Sequence, residues 1–598
     1  MTVLEEMLGD PDSTAREVAA LDAAEAFPAT ICARLDAFGL AGYYVPVEAG
    51  GRLADHELLL RLWRAVARRD VSTAVAHAKT YLGVAPVWIA GRADQAARVA
   101  GLVLDGAVVS WALSEREHGA DLTNGACTAA PHGGGYRLDG VKWPINNATR
   151  ARLLTVLART SPRGGARGHS LVLFDKTTAA PGTWRVLPKA PTHGNRGLDV
   201  SGIEFAGADI PAGARIGAEG SGVETVLRAL QLTRTMCAVL SLGAGEHAVR
   251  LAARHLATRP GRQHAPHAPV LARCAAFLAA VEAAALVSSR AIHGLTAEMS
   301  VVSAVVKGLA PTLVDASLAG LADLLGEHAV LTAAGGTAAG GTGAFQKVRR
   351  DHQVVSIFDG STPVNRAALI QQFPRLVRGY ADAAVDADGL RQATAVGSPV
   401  RALHPAALTL VSRHGCSLVQ SLPRLAASLA ASAGAASLAA SAGAADLAAG
   451  DATLGLAHQA AALRGLADLL HARMAGTRLA ARPAMAAYEL AAAYELCYAG
   501  AACLHAWSAG QTAHRGEPLW EDALWARAAL RALLARLART LRTPPPAAAP
   551  GDEQIDDALV RAVTDAVERG TPVTPFGDPM PAVAFDRPSV AGGGADAR

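Results

Sequence analysis

The sequence predicts a mainly α-helical chain with one central β-domain. Apolar positions recur at i, i+3 and i+4 up to about residue 107 and again after about residue 218. Between them, short runs of β-formers alternate with glycine, proline and polar turns. Hydrophobic residues make up 51% of the chain and charged residues 18%, a balance that suits packed, alanine-rich helices. At 598 residues the chain exceeds one ordinary core and divides into several domains.

Taken in order, residues 1–107 read as an N-terminal helical domain, on runs such as "HELLLRLWRAVARR" and "AARVAGLVL". Residues 108–217 read as a compact β-domain, from "VVSWALS", "YRLDGVKW", "RLLTVLART", "HSLVLFD", "WRVLP" and "GIEFAGADI". Helices resume over 218–380, beginning with "GVETVLRALQLTRTMCAVLSLGAGEHAVRLAARHLA". Residues 381–541 form an alanine-rich extension, expected to be nearly all helical. Its tandem "LAASAGAAS", "LAASAGAAD" repeats every nine residues, which turns successive leucines to opposite helix faces, so it reads as a linker or lax helix. Residues 542–598 comprise a proline-rich break, the short amphipathic segment "IDDALVRAVTDAVERG" and a flexible tail.

The net charge of +4 is small for this length, so no nucleic-acid footprint is expected. Nearly all the positive charge is arginine, with lysine confined to a few sites such as Lys142, Lys307 and Lys347. Seven scattered cysteines without a C-x-x-C pair argue against a disulfide framework and fit a reducing compartment. The acidic N-terminus lacks the order of a signal peptide. No uninterrupted apolar run reaches the roughly 18 residues of a membrane span. A cytoplasmic location without a transmembrane segment is the expectation.

One stretch, "SIFDGSTPVNR" (Ser356 to Arg366), sets an acidic residue behind two apolar ones and before a glycine. Thr362 and Pro363 read as N-cap and first helical position. Asp359-Gly360 then occupies the turn into a helix, where free N–H groups and the dipole favour an anion. A solvated Asp-Gly turn is the plain alternative.

Four segments together resemble the acyl-CoA dehydrogenase superfamily. They are "SWALSEREHGADL", "LDGVKWPINNATRARLL", "HGNRGLDVSGIEFAGADIPAGARIGAEGSG" and "AAGGTAAGGTGAFQKVRRDHQVVSIFDGST". Each is weak alone, but their order, separation and β or helical context agree over about residues 20–380. The resemblance implies a helical domain, a β-barrel-like domain and a four-helix bundle, here with an extra C-terminal helical domain. It implies FAD-dependent α,β-desaturation of an acyl thioester, in which a carboxylate takes the α-proton and the β-hydride passes to flavin N5. A thioester α-hydrogen is a very weak acid, so such a site must exclude water, hold the carbonyl with donors and set one base about 3 Å from the proton.

Carried onto this sequence, the resemblance makes Asp359 the α-proton base, in the place of the family's glutamate. Aspartate is shorter by roughly an Å of reach, a misplacement that can cost on the order of a hundredfold in rate unless the loop or substrate compensates. Nitroalkane oxidases of the superfamily use aspartate there. Where other members place the base on a bundle helix, this chain has Thr233. Arg234, Phe358, Gly360 and Ala120 fall at substrate-contacting positions; a guanidinium beside Asp359 would favour the ionised carboxylate. The positions implied for FAD are Trp111, Leu113, Ser114, Gly119, Ile145, Asn146, Arg259, Gly335, Gly336 and Ser361. Ala120 replaces a serine, Pro144 an aromatic and Pro363 a glutamine, and "RPGRQHAP" lacks the family's Phe-Gly after Arg259. The implied substrate is an acyl-CoA or acyl-carrier-protein thioester, and the implied assembly a homodimer. An electron-transfer flavoprotein would reoxidise a dehydrogenase, and oxygen a flavin oxidase of acyl-CoA oxidase or nitroalkane oxidase type. A catalytically silent binding relative is the remaining alternative.

Overall fold

The structure is a computed structural model that describes residues 2–577 apart from 163, 258–266, 333–342 and 442–446. The tail expected at the C-terminus lies outside the described residues from 578 onward. The architecture is mainly helical with a central β-domain, as the sequence predicts.

Helices occupy the N-terminal region, among them His56–Ala67 and Val71–Ala90. Each begins where an aspartate, Asp55 or Asp70, accepts a first-turn N–H, the capping expected of that residue type. Eight strands follow: β1 (Val109–Ala112), β2 (Thr128–His132), β3 (Gly135–Asn146), β4 (Leu153–Arg159), β5 (His169–Asp175), β6 (Trp184–Leu187), β7 (Val200–Ile210) and β8 (Arg215–Ile216). The sheet runs β6-β7-β3-β2-β4-β5-β8, with β1 parallel to β4. Its antiparallel pairs bury one face around Leu138, Phe174 and Phe205. The other side meets the helices through Val84, Val109, Leu157 and Val226. The β3–β7 register shifts between Lys142 and Ile145, so "WPI" is a bulge and strict alternation fails there.

The long helix Gly222–Ala257 is the spine of the second helical region. It packs on Met299–Leu325, Ala268–Gly294 and, from the N-terminal region, Val71–Ala90. Two of these core segments, Ala268–Gly294 and Thr296–Ala329, are long and apolar enough by composition to cross a membrane, although charged residues such as Arg290 and Lys307 interrupt them. Their apolar windows are 89% and 83% buried inside the protein.

The extension starts less helically than expected. Residues 395–416 are irregular apart from a short turn at Pro405–Ala407, because Gly397 (φ +80°) and two prolines interrupt the pattern. Helices then run over Leu422–Ser441, Leu447–Ala475, Met485–Gly510, Leu524–Thr540 and Ile555–Glu568. The nine-residue tandem, residues 429–446, occupies the end of the first of these, with 442–446 outside the described residues. The later helices pack on Ala268–Gly294, so one apolar core joins N-terminal helices, bundle and extension.

Candidate active site

The turn containing Asp359 follows the short helical segment Gln353–Ser356 and leads into the helix Thr362–Ile370. That helix starts one residue earlier than the sequence suggests: Ser361 is the N-cap, Thr362 the first helical residue and Pro363 the second. Proline is tolerated at either place because first-turn N–H groups lack helical partners. Asp359 (φ 55°) and Gly360 (φ 88°) are both left-handed, which reverses the chain within two residues. A Cβ on Gly360 would lie 2.8 Å from an Arg234 nitrogen, so only glycine fits. Asn365 Nδ2 donates to the carbonyls of Gly360 (2.7 Å) and Ser361 (3.0 Å). Arg234 Nε donates to the carbonyl of Asp359 (2.8 Å). The turn is therefore clamped through its backbone, and the Asp359 carboxylate is left free of that clamp.

Around the carboxylate the structure gathers residues from three helices. From Gly222–Ala257, Cys237 Sγ donates to Oδ2 at 3.5 Å. From Val71–Ala90, Lys79 Nζ stands 3.9 Å from Oδ1. From Met299–Leu325, Lys307 donates to the Val355 carbonyl at 2.6 Å. Both ammonium groups are close to the Phe358 ring, 4.8 Å for Lys79 and 5.3 Å for Lys307 measured to the ring centroid. The Asp359 side chain is only 10% exposed and that of Lys79 15%. Burial pulls Arg234 down to about 10, with the Asp359 charge opposing the shift. Burial likewise lowers Lys307 and raises the Cys237 thiol, the latter helped by Asp359.

The predicted β-domain residues form a second group. The Lys142 ammonium donates to the Leu113 carbonyl (3.0 Å), and the Trp143 amide to that of Ser114 (3.0 Å). Neither the Leu113 nor the Ser114 amide donates to another backbone group among the described residues. Trp111 Nε1 and Asn146 Oδ1 are buried without a partner. Such orphaned polar atoms in a native interior point to a group that completes them. Trp111 and Phe358 both border the large helical core. Ile145 packs into the β-domain core. The Trp143 ring lies under the Arg116 guanidinium (4.2 Å) and Pro144 is exposed. Gly119 and Ala120 stand exposed in the loop between β1 and β2. Arg259, Gly335 and Gly336 lie outside the described residues.

Sequence reasoning brought Arg234, Phe358, Asp359 and Gly360 to one place but missed Lys79, Cys237 and Asn365. The scarcity of lysine was the available signal for Lys79. It also missed that Glu115, in the first motif, accepts from Lys142 (2.8 Å) and from the amides of Ala126 and Cys127, closing the β1–β2 loop. Burial opposes the charged form of Glu115, but Lys142 and these donors outweigh it and hold the carboxyl below its usual range. Two other motif segments meet as well: Asn195 donates its amide to Asp351 (2.5 Å), while Arg350 donates to the His193 carbonyl (2.9 Å) and pairs with Asp22.

Three family models match in chain order: the acyl-CoA dehydrogenase N-terminal domain over residues 12–107, middle domain over 110–208 and C-terminal domain over 220–373. A probable acyl-CoA dehydrogenase, fadE25, of Mycobacterium leprae is 28% identical over 364 residues, covering 59% of this chain and 90% of the relative. Its counterpart in Mycobacterium tuberculosis H37Rv is 30% identical over 39% of this chain and 60% of its own length. The solved structure of an acyl-CoA dehydrogenase complexed with FAD from Bacillus anthracis superposes with a TM-score of 0.65 at 15% identity, over 95% of this chain and 94% of that one. With three domain models in register and a shared three-domain fold, the chain belongs to the acyl-CoA dehydrogenase family and carries a further helical region beyond residue 373.

Proposed function

We propose that the chain desaturates an acyl thioester between its α and β carbons, with Asp359 as the base for the α-proton. The observation that carries this reading is a carboxylate only 10% exposed on a turn whose backbone is fixed independently by Arg234 and Asn365. A base held this way reaches its proton without reorganising, and its dry surroundings strengthen every charge interaction in the site. The Asp359 amide donates to no backbone acceptor among the described residues, which leaves it for the thioester carbonyl, where enolate charge would build up. Cys237 places its thiol against Oδ2, so Oδ1 faces the remaining space together with Lys79.

The unpartnered atoms of Trp111 and Asn146 and the free amides of Leu113 and Ser114 fit a flat ring edged with hydrogen-bonding atoms. These residues would hold FAD, which when bound supplies the two-electron acceptor for the β-hydride. The acyl carrier, CoA or a carrier protein, would approach past the exposed Gly119–Ala120 loop, where the serine hydroxyl of other members is replaced by a methyl.

Anaerobic absorbance titration of the FAD-loaded protein with neutral and acidic acyl-CoAs tests the reading. Bleaching of the oxidised-flavin band by an acyl-CoA, lost in Asp359→Asn with the flavin spectrum intact, is the expected result. Bleaching that persists in that variant would remove Asp359 from the role. A flavin that no thioester bleaches but a nitroalkane does would replace desaturation with nitroalkane oxidation.

A further inference from the structure

The whole chain contains six lysines among its 56 lysine and arginine residues, and two of the six flank Phe358 beside Asp359. Between them they have one carboxylate in ion-pair range, Asp359, whose Oδ1 is 3.9 Å from Lys79. Lys307 is fully buried and donates to one carbonyl, that of Val355, at 2.6 Å. Lys79 makes no protein hydrogen bond among the described residues, and its nearest carboxylate oxygen, on Asp359, is 3.9 Å away. Arg234, 8% exposed, spends its Nε on a carbonyl of the same turn. Three cations thus converge on one carboxylate in a recess of low exposure.

Four other buried cations stand closer to a carboxylate. Lys142 reaches Glu115 at 2.8 Å, Lys347 reaches Asp70 at 2.6 Å, Arg290 reaches Glu57 at 2.6 Å and Arg64 reaches Glu282 at 2.5 Å. Three sequestered cations that share one carboxylate leave positive charge uncompensated, which an arriving anion would balance. The anion has to enter with the substrate, because the recess is the one that holds the candidate base.

We propose that Lys79, supported by Lys307, is a subsite for a carboxylate carried by the acyl group, so that the substrate is the monothioester of a short dicarboxylic acid. The inference rests on the desaturation reading for the position of the α-carbon. With the ammonium 3.9 Å from the base oxygen, the carboxylate must sit within a few bonds of the carbon that loses its proton. A four- or five-carbon diacid meets that limit, whereas a long fatty acyl chain would press methylenes against an ammonium that shares its one carboxylate with two other cations. The Phe358 ring close to both lysines favours their charge and leaves the hydrogen-bonding protons of Lys79 for the ligand. The reaction balances as before: the α-proton goes to Asp359, and the β-hydrogen leaves with its electron pair to the oxidised flavin, while the distal carboxylate is unchanged.

The test is isothermal titration of the full-length, FAD-loaded protein with glutaryl and hexanoyl thioesters, each on CoA and on pantetheine, the arm common to CoA and carrier proteins. Glutaryl should bind at least about tenfold tighter than hexanoyl, the size expected of a desolvated charge pair. In Lys79→Met the ratio of the two affinities should collapse to about one, and in Lys79→Arg, which keeps the charge, the preference should survive. The flavin spectrum and thermal midpoint of each variant report that it is folded. Equal or tighter binding of hexanoyl, an unchanged ratio in Lys79→Met, or no binding of either acyl group would overturn the subsite. The two readings fail separately: glutaryl bound without flavin bleaching removes desaturation and keeps the subsite. Bleaching by both thioesters at equal affinity does the reverse.

Discussion

Two buried lysines, Lys347 and Lys307, are treated in opposite ways. Lys347 lies between Asp70 (2.6 Å) and Asp351 (2.5 Å), with the Ser72 hydroxyl also in reach. Asp70 in turn accepts from the amide and hydroxyl of Thr73, and Asp351 from the amide of Asn195. Burial penalises the Lys347 charge, yet the two carboxylates outweigh it and push its proton affinity up. At Lys307 burial wins and the affinity falls, although Cys237 and Asp359 oppose the shift. The first cluster is saturated and ties an N-terminal helix, a β-domain loop and a bundle helix together. The second has positive charge to spare. On the proposed reading, saturation of buried charge separates the part of this protein that holds its shape from the part that would meet a ligand.

The largest expected effect lies in the unsaturated recess. Asp359→Asn should lower the rate of flavin bleaching by about 10²–10⁴, the range for loss of a general base, with little change in thermal midpoint. Stopped-flow absorbance and a melting curve on the same preparation check both halves. A large fall in midpoint would mean that Asp359 belongs with the structural clusters. The saturated cluster predicts the converse. Lys347→Met strands two buried carboxylates and should destabilise the protein by about 3–5 kcal/mol, seen as a clear drop in the denaturant midpoint.

A third buried charge sharpens the comparison by showing what happens when no cation is present at all. Glu298 is 3% exposed and accepts the amide (2.8 Å) and hydroxyl (2.6 Å) of Ser417. Burial pushes its carboxyl up to about 7, with the Ser417 bonds partly offsetting it. The folded value lies above the ordinary carboxyl value, so the contribution to stability is fully present below about 4.5 and is lost as pH rises through 7. Glu298→Gln should then match the parent near pH 4.5 and exceed it by about 1–2 kcal/mol at pH 8. Thermal unfolding of both proteins across that range measures the difference. Parallel curves would show that Glu298 stays ionised and has a partner.

The periodicities and turn residues made the fold legible: helices, then a β-domain, then helices follow from local pattern alone. The capping aspartates Asp55 and Asp70 and the Asp-Gly turn at 359–360 were equally visible, because each is a short-range backbone requirement. What the sequence could not show is which charges meet. Lys79 and Asp359 are 280 positions apart and lie on separate elements, so neither spacing nor periodicity links them. Nor could it show the bulge at "WPI", where the β3–β7 register slips and strand alternation no longer applies. The irregular start of the extension was masked by its alanine content, which is helical by propensity but is overruled by Gly397 and the prolines that follow.

The smallest expected effect is the most direct test of the contrast between the two lysines. Lys307→Met keeps the length and apolar stem of the side chain while deleting an ammonium that is fully buried and donates only to the Val355 carbonyl. Two changes oppose each other. Removing a cation whose charged form burial disfavours is stabilising, and leaving the Val355 carbonyl without its donor is destabilising by about 1 kcal/mol. The net change in stability should stay within about 1 kcal/mol, against several for Lys347→Met in the same buffer. Chemical denaturation of the two variants side by side makes the comparison. If Lys307→Met falls as far as Lys347→Met, the ammonium near Phe358 is a structural brace, and the surplus of charge around Asp359 loses its meaning as a place for an anion. If it holds, a buried lysine that the fold does not need is left in the one recess where a substrate carboxylate would use it.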